Sequence, residues 1–267
     1  MERSARHGRL AQSGKDAMTS TEKLLAMVGL TLLALLVGCA RGPELVNPTV
    51  LRSPYDASRG DVLFAVAPLR NESGTTVFRV DEVTDAIVRA ASSVPGIRCL
   101  PLNRTIAEMR GLGLREITSP SDLEALADAM NVDGLIVGTV TAYDPYNPPT
   151  LGLSLALHAG NPSFAAGPEL DEIRGAVSDP QMPASSRYVD SPVASMSEVF
   201  DGRNHSVQMQ VRRYAEGRID PTAARGWQTY LASMPLYTEF VAHAAVGRLL
   251  DQERLRLVRA RRPESSR

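Results

Sequence analysis

The chain has few of the side chains that usually carry catalysis. It holds two cysteines and four histidines in 267 residues, and neither His-Glu-x-x-His nor Gly-x-Ser-x-Gly occurs. The histidines after residue 38 are His158, His205 and His243, and their spacing matches no metal site. Gly111-Leu112-Gly113 lacks the third glycine of a dinucleotide-binding loop and follows a predicted helix. The sequence therefore predicts no catalytic residue, no metal site and no cofactor.

An excess of positive charge is also lacking. The formal net charge is −1, and residues 1–38 hold five of the 29 basic and three of the 30 acidic side chains. The rest of the chain therefore has 24 basic side chains, all arginine, and 27 acidic ones. Since no broad positive field is present to attract phosphates, we expect no nucleic-acid partner.

No apolar run is long enough to span a bilayer. The longest, Leu24 to Gly38, has 15 residues, against the roughly 20 that a membrane-spanning helix needs. It has the length of a signal-peptide apolar region, follows Lys23 and ends in Leu36-Val37-Gly38-Cys39. The alternative is a buried core helix with an incidental cysteine.

The Leu36 to Cys39 pattern resembles the lipobox of bacterial lipoproteins. This resemblance implies cleavage before Cys39, a diacylglycerol thioether on its sulfur and a fatty acid such as palmitate on its amine, which together bind a membrane. Ala40 stands where retention in the inner membrane typically shows aspartate, so we expect the outer membrane, with the protein facing the periplasm. Translation could start at Met18, which would leave a compact signal.

The second cysteine then has no partner within the chain. Cys99 lies in Ile97 to Leu100, a short apolar run that predicts a strand. We expect a buried, inert thiol in preference to a nucleophile.

Alternating periodicities predict an α/β (α+β) fold. A buried strand at Asp61 to Leu69 precedes an amphipathic helix from Val80 to Val94 and the Ile97 strand, a right-handed βαβ unit. Leu135 to Tyr143 and the alternating Leu151 to Leu157 predict an antiparallel hairpin.

Further signals place the remaining elements. Ala194 to Phe200 predicts an edge strand, Thr105 and Ser121 predict helix starts, and a last helix is expected after Ser233. We therefore expect a mixed sheet of about five strands with helices packed on it. The predicted divisions are a signal peptide at 1–38, a tether at 39–60, a core at 61–160, a flexible insertion at 161–193, a final strand and C-terminal helices at 194–262, and a tail at 263–267.

One stretch resembles a known group of periplasmic domains. Val62 to Gly74 (VLFAVAPLRNESG) and Asp133 to Gly138 (DGLIVG) are similar to segments of three envelope proteins. These are the amino-terminal domain of the Tol translocation protein, the penicillin-binding-protein activator lipoprotein and the curli-secretion lipoprotein. The resemblance covers roughly residues 61–160 and implies docking to an envelope protein partner without catalysis.

Two groups of residues are candidate partner contacts. Asn71, Glu72 and Ser73 follow the first strand at its carboxyl end, where open α/β sheets place ligands; the alternative is a polar turn that ends the strand. Trp227 and Tyr230 belong to the scarce aromatic residues near the last helix. For them the alternative is core packing.

Together these patterns predict a lipid-anchored, non-catalytic binding or assembly module of the bacterial cell envelope. A first alternative is a subunit of an oligomeric envelope secretion assembly. A second is an envelope hydrolase, which would need a cleft that joins one of the three histidines to a nucleophile.

Overall fold

The computed structural model describes residues 21, 25, 27, 28, 46–166, 191–220 and 222–260. The chain divides into a unit from Met1 to Leu45 and a second from Val46 to Arg267. In the first unit, the four described residues are helical and exposed. The predicted lipobox, Cys39, residues 167–190 and the predicted tail lie outside the described residues.

A mixed sheet forms the centre of the second unit. Its strands are β1 (Val62–Val66), β2 (Arg70–Asn71), β3 (Ile97–Cys99), β4 (Gly134–Asp144), β5 (Thr150–Ala159) and β6 (Ala194–Asp201). The order is β3-β1-β4-β5-β6, with the short β2 also beside β4. Strand β1 is parallel to β3 and β4, whereas β5 is antiparallel to β4 and β6. The expected mixed α/β fold is confirmed, with six strands among the described residues in place of about five.

Seven helices accompany the sheet in the described part of this unit. They are α1 (Val80–Ser92), α2 (Leu102–Gly111), α3 (Pro120–Met130), α4 (Pro162–Ala166), α5 (His205–Ala215), α6 (Gln228–Ala232) and α7 (Met234–Ala260), and a 3-10 turn covers Ala57–Arg59. Within the described ranges, no helix is both long enough and apolar enough to cross a membrane.

The larger core lies between one face of the sheet and helices α1, α5 and α7. Leu151 and Leu155 of β5 and Phe200 of β6 point into this core and are fully buried. They meet Tyr237 and Phe240 on α7, and the Tyr237 hydroxyl donates to the Phe200 carbonyl at 3.0 Å. The leucine alternation in β5 therefore identifies the face that packs against the long helix.

A smaller core lies on the opposite face. Ala65 of β1 and Leu135 of β4 pack there against Met109 of α2 and against Leu126 and Met130 of α3. Strands β1 and β4 are thus covered on both sides, which explains why their sequences are apolar at consecutive positions.

Two predicted helix starts are wrong by a few residues. Helix α2 begins at Leu102 after Pro101, so Thr105 lies inside the helix and is fully buried instead of capping it. Helix α3 begins at Pro120, and Ser119 and Asp122 form its capping box, two residues before the expected Ser121. In both cases proline occupies an early position that its fixed φ angle suits.

Candidate functional site

Residues 46–60, here called the strap, pack against the domain although they fall within the predicted tether. The Arg218 guanidinium donates to the Thr49 carbonyl at 2.5 Å, and Arg254 donates to the Arg52 carbonyl at 3.0 Å. Leu51 joins the edge of the larger core. The strap is therefore part of the folded unit, while the boundaries predicted for the tether and the other segments stay predictions.

The strap closes one side of a cavity of about 340 Å³, here called the strap pocket. The cavity lies where β1 begins, between the strap, α4 and the second half of α7. The lining residues are Pro54, Tyr55, Asp56, Arg59, Gly60, Asp61, Val62, Asp133, Asn161, Ser163, Phe164, Glu253, Arg256 and Leu257. It therefore sits at the amino ends of the parallel strands, opposite the end where the sequence placed a site.

A buried ion pair forms one wall of the strap pocket. The Glu253 side chain is 0% exposed, and Arg256 donates to both of its oxygens at 2.7 Å, from Nε and Nη2. Arg256 also donates to the carbonyls of Ala165 at 2.7 Å and Phe164 at 3.2 Å. Burial raises the pKa of the Glu253 carboxyl, and the bonds from Arg256 oppose that rise. The pair therefore joins α7 to α4.

Tyr55 forms a second wall and brings a hydroxyl next to this carboxylate. Its ring lies 5.9 Å from Phe64 and 5.4 Å from Phe164, measured between centroids. The hydroxyl oxygen is shielded from solvent and has no hydrogen-bond partner of acceptable geometry. Burial, followed by the negative charge of Glu253, raises the pKa of Tyr55 well above its ordinary value. The hydroxyl is therefore protonated at any physiological pH.

Asp133 fixes the floor of the strap pocket. One carboxylate oxygen accepts from the Leu63 backbone N–H at 2.8 Å, and the other accepts from Asn161 Nδ2 at 3.0 Å. The Asn161 side-chain oxygen in turn accepts from the Phe164 N–H at 2.8 Å. This chain of bonds ties the start of β1 to α4, which supplies the Phe164 ring.

The predicted contact loop at residues 71–73 is exposed and bonded largely to itself. Asn71 Oδ1 accepts from the Ser73 N–H at 3.1 Å and from the Ser73 hydroxyl at 2.7 Å, and Asn71 Nδ2 donates to the Thr75 carbonyl at 2.7 Å. Glu72 pairs with Arg70 at 3.5 Å. These contacts suit a polar turn after the strand, and a partner contact there stays a prediction.

The second predicted contact group is largely interior. Tyr230 is 6% exposed, and its ring lies 5.4 Å from that of Tyr214, edge to face. Trp227 is half-buried and packs against the larger core. Helix α6 turns the Tyr230 side chain inward, which favours the core-packing alternative, and a partner contact through this residue stays a prediction. A contact through the exposed part of Trp227 stays a prediction.

The two predicted groups do not form one site. Asn71 lies beside Val140 of β4, whereas Tyr230 packs on Tyr214 of α5. The strap pocket was missed because its members come from distant parts of the sequence. One signal was present: Glu253 follows Leu249 and Leu250 and precedes Leu257, which places a carboxylate on the apolar stripe of the last helix.

One histidine does share a cavity with a hydroxyl. His243 and Ser93 both line a pocket of about 250 Å³ together with Arg89, Arg218 and Glu239. The Ser93 hydroxyl donates to the Ala90 carbonyl at 2.7 Å, and His243 Nε2 has no hydrogen-bond partner. Burial lowers the pKa of His243 to about 4, so its imidazole is a weak base at neutral pH. The arrangement lacks the nucleophile–base bond that hydrolysis requires.

The other candidate reactive groups are also poorly placed for chemistry. Burial raises the pKa of the Cys99 thiol to about 12, which keeps it protonated. His158 is buried and His205 is exposed. Across the described residues, no group of three or more histidine, cysteine or acidic side chains is arranged to hold a metal ion.

Comparison with known proteins gives structural likeness only. No protein-family model and no curated protein matches the sequence. The chain is similar to the LpoB C-terminal domain from Salmonella enterica, at 11% identity over 49% of this chain and 83% of that one, with a TM-score of 0.32. It is also similar to lipoprotein GNA1162 from Neisseria meningitidis, at 16% identity, 56% and 92% coverage and a TM-score of 0.36.

A third likeness is to the PelC dodecamer from Paraburkholderia phytofirmans, at 16% identity, 43% and 68% coverage and a TM-score of 0.25. LpoB is a penicillin-binding-protein activator lipoprotein, so the group that the sequence resembles is present among the neighbours. At these identities and TM-scores the likeness assigns no residue a role and gives this chain no function.

Proposed function

We propose that this protein is a lipid-anchored, non-catalytic binding or assembly module of the bacterial cell envelope. The observation that carries the proposal is Leu36-Val37-Gly38-Cys39 at the end of an apolar run of 15 residues. A lipidated Cys39 holds the protein at a membrane, and Ala40 favours the outer membrane, with the folded unit in the periplasm.

The binding role is supported by how the described side chains are used. The thiol of Cys99 and the imidazole of His243 are partly buried, and this burial moves their pKa values far from neutrality, in directions that suppress nucleophilic and basic behaviour. The strap pocket, in contrast, offers a shaped cavity with polar groups in its walls. A cavity of this size suits recognition of a small group or a side chain.

Lipidation is tested by feeding labelled palmitate to cells that express the full chain. We expect label in the wild type and in Cys99→Ser, and none in Cys39→Ser, because only the predicted lipobox cysteine is modified. The two variants are matched, since each removes one of the two thiols. Label that persists in Cys39→Ser, or a wild type without label, would contradict the anchor.

The binding role is tested by crosslinking in intact envelopes followed by pull-down. We expect recovery of one discrete envelope protein with the wild type. Turnover of an acyl or glycosyl substrate by the purified protein would refute the non-catalytic role.

A further inference from the structure

The strap pocket carries an excess of negative charge. Two guanidinium groups line it against four carboxylates, which leaves two more negative than positive groups; the six residues are Arg59, Arg256, Asp56, Asp61, Asp133 and Glu253. Most of the inner charge is already paired within the protein. Asp61, at the exposed mouth of the pocket, has no such partner among the described residues.

The Tyr55 hydroxyl is an independent sign of a ligand. Its oxygen is shielded from solvent, and its approach to the Glu253 carboxylate falls short of the geometry of a full hydrogen bond. Polar groups in such a position are uncommon in folded proteins because they lose their bonds to water. The hydroxyl faces the Glu253 carboxylate, toward which its own proton points most favourably. The lone pairs of its oxygen then remain free to accept a hydrogen bond, so the missing partner is an N–H or O–H donor.

The aromatic walls favour a cationic donor over a neutral one. The rings of Tyr55 and Phe164 lie 5.4 Å apart at an interplanar angle of 49°, and both residues line the cavity. Faces of aromatic rings attract ammonium and guanidinium groups.

An anionic ligand fits the pocket less well. Arg256 already donates four hydrogen bonds to protein oxygens, so little of its donor capacity remains. Arg59 alone would then have to offset the carboxylates for an incoming anion.

We propose that the strap pocket binds the ammonium or guanidinium group of a ligand. The cation lies between Asp61 at the mouth and the ring faces of Tyr55 and Phe164, and one of its N–H groups donates to the Tyr55 hydroxyl. The proposal rests on the binding role proposed above and is independent of lipidation at Cys39.

The test is a calorimetric titration of the full-length protein in detergent with agmatine, with butyrate as the anionic probe. We expect saturable 1:1 binding of agmatine and none of butyrate. Asp61→Asn should weaken binding about threefold, because an exposed charge pair is modest and is screened by salt. Tyr55→Phe should weaken agmatine binding by a factor that is similar at low and at high salt. Asp128→Asn, which removes an exposed carboxylate of α3 away from the pocket, should leave the affinity unchanged.

Three results would overturn the proposal: no saturable agmatine binding by the folded wild type, wild-type affinity for agmatine in both Asp61→Asn and Tyr55→Phe, or preferential binding of butyrate. Thermal unfolding of each variant confirms that the titrated protein is folded. Titration with Gly-Arg-Gly, with Gly-Gln-Gly as its uncharged counterpart, and with free putrescine distinguishes a partner's arginine side chain from a small amine. Preferential binding of Gly-Arg-Gly or of putrescine supports the proposal. Cys39→Ser should bind agmatine as the wild type does, so failure of the anchor and failure of this site are separable.

Discussion

At the scale of single residues, the most unusual feature is a carboxylate in the core of the last helix. Glu253 is fully buried and both its oxygens are bonded to Arg256. Such a pair adds little net stability because both charges lose their hydration, yet removal of one partner leaves an uncompensated buried charge. The pair is therefore sensitive to substitution without being a major source of stability.

Substitution of Arg256 should destabilise the protein strongly. We expect Arg256→Ala to lower the free energy of unfolding by about 3 kcal/mol, since Glu253 loses its counter-ion and α4 loses two hydrogen bonds. Urea unfolding measures this change. Arg259→Ala, which truncates an exposed arginine on the same helix, should change the value by less than about 0.5 kcal/mol. Similar effects of the two substitutions would show that the pair is not a buried one.

The sequence predicted some of these residue positions and missed others for a definable reason. Leu151 and Leu157 were expected on one face because alternation is a local signal, and they are buried together. The contact of Tyr55 with Glu253 joins positions about two hundred residues apart, and no local pattern reports such a pair. Thr105 was assigned to a helix start from a valid capping pattern, but Pro101 begins the helix earlier.

At the scale of elements, the strap behaves differently from its composition. It has no helical or strand period and contains prolines, which is typical of a spacer. Its contacts are instead with far parts of the chain, including Arg218 and Arg254. Gly217, at φ +76°, lies against the backbone of Val46–Pro48, where a Cβ would clash. The close approach of two backbones therefore requires glycine at this position.

Substitution at Gly217 should report on the strap. Gly217→Ala should cost about 1–2 kcal/mol for the left-handed backbone plus a steric cost that displaces the strap. Gly113→Ala is the matched control, because Gly113 has φ +73° with open space around it. Its substitution therefore carries the backbone cost without the steric one. Urea unfolding compares the two, and amide hydrogen exchange at Leu51 should accelerate only in Gly217→Ala. Equal costs with slow exchange at Leu51 would mean that the strap does not depend on this contact.

At the scale of the whole molecule, His243 lies where several elements meet. It belongs to α7, and its ring centroid is 4.9 Å from that of Tyr214 on α5. It also forms a hydrogen bond with the Thr49 backbone of the strap. Arg89 of α1 lines the same pocket. Burial, together with the positive charge of Arg218, lowers the pKa of His243 from 6.5 to about 4. The neutral imidazole is therefore the form that fits the folded unit.

The stability of the folded unit should consequently fall in mild acid. Between pH 6.5 and 4 the unfolded chain binds a proton at His243 that the folded chain does not, so this contribution is complete above pH 6.5 and is lost as the pH falls. From pH 7.5 to 5.0 we expect a loss of about 2 kcal/mol in urea unfolding. His243→Gln should lose less over this interval, and the exposed His205→Gln should lose as much as the wild type. An unchanged pH dependence in His243→Gln would refute the assignment.

The course of the strap decides how the domain responds to mechanical load. A pulling force applied before Val46 would act first on the contacts that the strap makes with Gly217, Arg218 and Arg254. These contacts can break one after another. Strand β1 follows directly, held on both sides by β3 and β4 in parallel register. A force applied from the amino-terminal side would therefore detach the strap first, and open the adjoining pocket, while the sheet still resisted.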